Sequence, residues 1–320
     1  MGKQENLSSS ETHPRIVRYD ELRPCFDAFI DTRSPGSDKK ENFTIIGPGV
    51  SENPNQYVHI AEPHGFNIGG ARQPPGCLNS QHSHDTAEVF FVHSGTWSFD
   101  LGEHGEDANI TLRPGDTISI PTKVFRGFKN IGDDVGYLWA ILGQDNPGRV
   151  TWAPDVFDMA KEYGLVLLES GSLIDTAKGE VVPDGVKAMP VTSREQVNSL
   201  QTFSNDDLRA CCVMSDEDVP NYTRTGTVTR KLIGEDTKLN WSHGFSVQHI
   251  TIMPSAANFS QTRTVKDVIF VHSGTLTIKV DAEVWTLFPG DTATIPSGAA
   301  RQFVNNSDKT VEFLRVQGEA

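Results

Sequence analysis

The chain has 320 residues, enough for one large domain or two ordinary ones. Its formal charge is −14, with 42 acidic residues against 28 basic ones and no basic block, which argues against nucleic acid or an anionic membrane surface as a partner. The four cysteines, Cys25, Cys77, Cys211 and Cys212, form no CxxC pair and no dense framework, so a disulfide scaffold is not expected.

Residues 1–42 read as an N-terminal arm. Its first residues are polar and carry no apolar signal core. No run in the chain approaches the length needed to span a membrane, so a cytoplasmic location is expected. Ile16-Val-Arg-Tyr19 and the stretch from Leu22 to Phe29 can pack on a barrel or on a neighbouring subunit.

From residue 43 to about 150 the texture is strand-like. Short apolar or alternating runs such as Phe43-Thr-Ile-Ile46, Val89-Phe-Phe-Val92 and Thr117-Ile-Ser-Ile120 are broken by Gly, Pro, Asn and Asp, as in an all-β sandwich or barrel. Within this region stands Gln81-His-Ser-His-Asp-Thr-Ala-Glu88. Side chains alternate faces along a strand, so His82 and His84 point the same way. Glu88 shares their parity or approaches from the next strand. Two imidazoles and a carboxylate on one inward face suit a divalent transition metal with open coordination positions. The bland alternative is a polar strand face with two solvated histidines.

Residues 151–231 form a partly helical linker. Pro154-Asp-Val-Phe-Asp-Met-Ala-Lys-Glu-Tyr163 starts with Pro and is followed by Gly164, the punctuation of a helix. Ser193 is placed to open another.

Residues 232–320 return to strand texture, and they repeat the first half. His64-Gly-Phe66 lies over His243-Gly-Phe245, and at the same offset Phe91-Val-His-Ser-Gly-Thr96 lies over Phe270-Val-His-Ser-Gly-Thr275. With a shorter hairpin between, Pro114-Gly-Asp-Thr117 lies over Pro289-Gly-Asp-Thr292 and Arg126 over Arg301. The chain therefore holds two copies of one β-domain.

The first copy resembles the cupin superfamily. Gly76, His82, His84, Glu88 and Gly95 match its first signature without a gap. Gly115, Pro121 and Asn130 match the second, with Lys123 in place of a glycine and Arg126 in place of a histidine. The resemblance implies an all-β fold of two jelly-roll barrels in tandem, and a divalent metal on His82, His84 and Glu88. Arginine offers only donors, so Arg126 cannot replace a histidine ligand. Three readings stay open. Arg126 clamps a substrate anion beside a three-ligand metal; another histidine (His59, His64 or His104) completes the set; or there is no metal and Arg126 bridges Glu88. In the second copy the equivalent positions are Gln261, Arg263, Asp267 and Arg301. Two guanidiniums with one carboxylate repel a cation, so this barrel reads as structural with an Arg263–Asp267 bridge, or as an anion pocket.

The function expected from the resemblance is a small-molecule enzyme, first an Fe(II) dioxygenase acting on an oxygen-chelating substrate. Its rivals are a non-redox metal isomerase, lyase or decarboxylase using Mn, Zn or Ni, and a metal-free protein that binds a carboxylate or sugar acid. A homodimer or higher homo-oligomer is expected, as cupins commonly associate.

Overall fold

A computed structural model describes residues 13–214, 221–224, 226–239 and 241–319. Strands dominate, and they build two barrels. In the first, a seven-stranded sheet runs in the order Val213–Met214, Thr117–Ile120, Glu88–Ser94, Gly136–Gly143, Phe66–Gln73, Glu41–Ile46, Val58–Ile60. It faces a five-stranded sheet, Val150–Trp152, Leu78–His84, Arg126–Asn130, Trp97–Leu101, Ala108–Leu112. The second barrel repeats the scheme, with Asp267–Ser273, Val311–Gly318 and Phe245–Ile252 at the centre of its larger sheet. That sheet also takes in Asn221–Arg224 and Thr227–Ile233, so strand structure begins ahead of residue 232.

The two barrels close each other's edges. Ile16–Val17, which leads into the first barrel, pairs with Thr292–Ile295 of the second. Val213–Met214, which leads into the second, pairs with Thr117–Ile120 of the first. One edge of each larger sheet is thus covered by a segment from the other side, which removes a site of unwanted pairing.

Period-two alternation explains where the barrels touch. Ala108–Leu112 alternates buried and exposed, so it has a core face and a solvent face. Gly136–Gly143 is buried throughout. Its Leu138 and Ala140 belong to the interior of the first barrel. Its Tyr137, Trp139 and Ile141 pack instead with Phe245, Phe270 and Leu314 of the second barrel. The central strands thus have two apolar faces because each has a core on both sides.

The paired histidines outside the metal motif lie on this seam. His64 Nδ1 donates to the Glu62 carbonyl (2.6 Å), which leaves Nε2 to accept from the Thr294 hydroxyl (2.5 Å). His243 mirrors it, with Nε2 accepting from Ser119 Oγ at 2.6 Å. His93 and His272 meet with Nδ1 atoms 3.4 Å apart. All four serve the packing of one barrel on the other.

In the linker, the helix Pro154–Glu162 forms with Pro at its first turn, and Gly164 follows at φ 77°. Ser193 caps Arg194–Asn198 in a reciprocal box with Gln196. A hairpin, Leu165–Leu167 with Leu173–Asp175, lies between. Three-residue strands are too short for alternation to announce them. The arm packs on the first barrel, where Ile30 joins Phe125, Trp152 and the helix residue Val156 in one cluster.

Candidate metal centre

His82 and His84 lie on the strand Leu78–His84, and Glu88 starts the strand Glu88–Ser94 across the barrel interior. All three side chains are buried, and one ligand atom from each lies within 4.8 Å of the others. His84 Nε2 stands 3.5 Å from Glu88 Oε1. His82 Nδ1 donates to the Ser80 carbonyl at 2.7 Å, which fixes its tautomer and leaves the Nε2 lone pair unprotonated. His84 Nδ1 is buried with no partner. Burial, reinforced by the Arg126 charge, pushes the His82 pKa down to about 3 and lowers that of His84. Two neutral imidazoles beside an ionised carboxylate are the protonation state a divalent metal requires. The donor set fits such an ion.

Arg126 sits behind this set and does not line the cavity. It is fully buried. Its Nε and Nη2 donate to Glu88 Oε2 at 3.0 and 2.6 Å, and its Nη1 donates to the carbonyls of His82 and Val124. Burial alone would raise the Glu88 pKa, but the adjacent guanidinium, with His84, holds the carboxyl well below its usual range. One carboxylate oxygen is thus held by Arg126 while Oε1 faces the histidines. Arg126 meets Glu88 rather than open space, and it does so without displacing either imidazole. Lys123, in the family's glycine position, adopts φ 60°, so the tight turn is kept without the glycine.

None of the other candidate histidines of this copy reaches the site. His59 Nδ1 bonds the Thr44 carbonyl, His64 is on the seam, and His104 is exposed beside Asp155.

Residues outside the motif complete the surroundings, and the sequence carries no local sign of them. Trp152 pairs in register with His82, and their rings lie 5.3 Å apart. Its Nε1 donates to Glu52 at 2.6 Å, and Glu52 also accepts from Ile30 N. Burial pushes the Glu52 carboxyl up to about 8. In the arm, Asp31 and Lys40 form an ion pair with no exposure, and Asp31 accepts from Ser80 N at 3.0 Å, two residues before His82. The arm is therefore stitched to the strand that carries His82 and His84. Phe29 from the arm, Val50, Phe90, Phe128, Leu142 and Trp152 give a mostly apolar cavity of about 80 Å³ that ends on His82, His84 and Glu88.

The second barrel keeps the ion pair and loses the imidazoles. Asp267 binds Arg301 (Oδ2 to Nη1, 2.9 Å), not Arg263 as the sequence pattern suggested. The pairing follows register: Gln261 lies opposite Arg301 as His82 lies opposite Arg126. Arg263 instead donates to Gln261 Oε1 at 2.7 Å.

The cupin domain family matches this chain twice, over residues 71–141 and 248–317. The chain carries two cupin domains in tandem. No curated protein matches the bicupin. Its fold is similar to that of oxalate decarboxylase from Bacillus subtilis, with TM-score 0.60 at 10% identity, over 100% of this chain and 78% of that one. The formate complex of Lactobacillus farciminis oxalate decarboxylase matches with TM-score 0.60 and 10% identity, over 99% and 87%. At such identity the likeness speaks for the fold alone. Among the described residues no helix of the bicupin is long and apolar enough to cross a membrane.

Proposed function

We propose that the bicupin is a metal-dependent lyase that removes a carboxyl group from a small di- or oxo-carboxylate in its first barrel. The size of the cavity carries this reading. At about 80 Å³ it is roughly half the ~150 Å³ that accommodates benzene in an engineered protein core. A short-chain acid suits such a space better than a hydroxy-aromatic ring. The fold shared with oxalate decarboxylases points the same way, which moves the Fe(II) dioxygenase to second place.

His82, His84 and Glu88 are the residues that would hold the metal; when bound, a divalent ion supplies Lewis acidity and open positions for a chelating acid. Arg126 is a positioning residue. Its charge offsets that of Glu88, so the donor set as a whole is neutral and the site favours an anionic substrate. The walls formed by Phe90, Phe128, Leu142 and Trp152 exclude water. An apolar wall disfavours a carboxylate relative to neutral carbon dioxide, which favours loss of the charged group. In the reaction the carbon–carbon bond breaks, carbon dioxide leaves without the bonding pair, and the remaining carbon takes up one proton. No oxidant is consumed.

A specific feature supports the rival. Two histidines and one carboxylate form the donor set of non-haem Fe(II) oxygenases. The two readings part on gas exchange. Incubation of the Mn(II)- or Fe(II)-loaded protein with oxalate, malonate and oxaloacetate should release carbon dioxide without stoichiometric oxygen uptake. Oxygen uptake equal to turnover would overturn the lyase and restore the dioxygenase. Absence of bound metal in the purified protein and after reconstitution would remove both.

A further inference from the structure

The second barrel contains its own cavity, of about 290 Å³. Arg263 and Arg315 line it. Arg263 stands where the first barrel has His84. Arg315 lies opposite Ile269 as Ala140 lies opposite Phe90, so it occupies the place of Ala140 in the first cavity. The second barrel has therefore exchanged a metal donor and a small apolar residue for two guanidiniums.

Among the described residues these charges have no carboxylate of their own. Asp267 is engaged on both oxygens, by Arg301 on one and by Gln317 Nε2 (2.6 Å) on the other. Among the described residues neither Arg263 nor Arg315 forms an ion pair. Each bonds only an amide oxygen, of Gln261 and Gln248 respectively. The Nε atoms of both are buried without a partner, and so is the Thr227 hydroxyl on the same wall. Arg315 is 7% exposed. A buried guanidinium with an unused donor is costly unless an acceptor completes it. Burial, with repulsion from Arg263 and Arg301 against the attraction of Asp267, pulls the Arg315 pKa down to about 10, a strain that an anion would relieve. Ile250 and Phe259 supply an apolar side to the same space.

We propose that the second barrel is a non-catalytic binding site for a small organic dicarboxylate, held by Arg263 and Arg315 with the Thr227 hydroxyl. Guanidinium forks match carboxylates in shape and charge, two unpaired forks match two carboxylates, and the apolar side takes the carbon chain. The site holds no imidazole, so it is independent of the metal chemistry in the first barrel.

The test is thermal unfolding of the full chain against disodium succinate, with sodium sulfate at matched ionic strength as control. Wild type should show a saturable rise in Tm with succinate that sulfate does not reproduce. The rise should persist in His82→Ala/His84→Ala and in wild type stripped of metal with a chelator. Arg263→Gln, at a partly exposed position, should raise the half-saturation concentration at least about tenfold. Arg315→Gln should do the same. No saturable shift, an equal shift with sulfate, loss of the shift on metal removal, or an unchanged shift in Arg263→Gln would each overturn the proposal.

Discussion

The two barrels share a frame and differ in what it carries. Each has a buried arginine on the same strand (Arg126, Arg301) paired with a carboxylate at the start of the facing strand (Glu88, Asp267). Only the first sets two buried imidazoles against that pair; the second has Gln261, exposed, and Arg263, half-buried. The ion pair is thus the common scaffold of both copies, and the two buried histidines are what distinguish the first. The first barrel is also covered, by the arm through Asp31 and Lys40 and by the following loop through Glu52.

That contrast can be broken or sharpened. The largest effect is expected from His82→Ala/His84→Ala, which should take metal content, read by elemental analysis, from near one per chain to none, whereas Arg263→Ala should leave it unchanged. Metal retained in the double histidine variant would move the site elsewhere.

Next in size is Arg126→Met. Removing one partner of a buried pair costs about 3–5 kcal/mol, and Arg301→Met should cost a similar amount by urea unfolding. The two variants should then diverge. Added Mn(II) should restore stability to Arg126→Met, where the ion can offset Glu88, and do nothing for Arg301→Met. Equal recovery in both, or in neither, would dissolve the distinction between the barrels.

Glu52 makes the cover of the first barrel pH-dependent. Its carboxyl is raised from 4.5 to about 8 in the folded chain, so the folded state binds this proton more tightly than the unfolded state. The stabilisation is complete below pH 4.5 and is lost as pH rises through about 8. Glu52→Gln should flatten this fall, worth on the order of a few kcal/mol, in unfolding measured between pH 5 and 9. An unchanged slope would mean that Glu52 is ionised at neutral pH.

The smallest effect is a gain. Gln261→His/Arg263→His/Asp267→Glu rebuilds the donor set on the matching register. It should raise metal content above one per chain, with the second ion bound more weakly because position 261 is exposed. No added metal would show that burial, and not donor identity, decides.

Much of this organisation was legible in the chain itself. The repeat, the alternation of strands, the helix opened by Pro154 and the shared parity of His82 and His84 are local regularities, and local regularities survive in a linear string. Glu88 joins the histidines by the other route the pattern left open, from the start of the next strand. Partner choice was not legible. Nothing near residue 267 says that Asp267 meets Arg301 rather than Arg263, since a long guanidinium reaches whichever carboxylate the strand register brings opposite. The same holds for Arg126, which proved to hold Glu88 from behind, and for Trp152 and Glu52, which lie outside the motif yet shape its cavity.

Composition and pattern by themselves therefore determined two β-barrels and one candidate set of metal ligands. Tertiary structure alone decided which charges neutralise one another, how small the cavity is, and that among the described residues two arginines in the second barrel form no ion pair. The physical reason is range: a strand's period is set by adjacent residues, while ion pairing and enclosed volume depend on atoms that the fold brings together from distant parts of the chain.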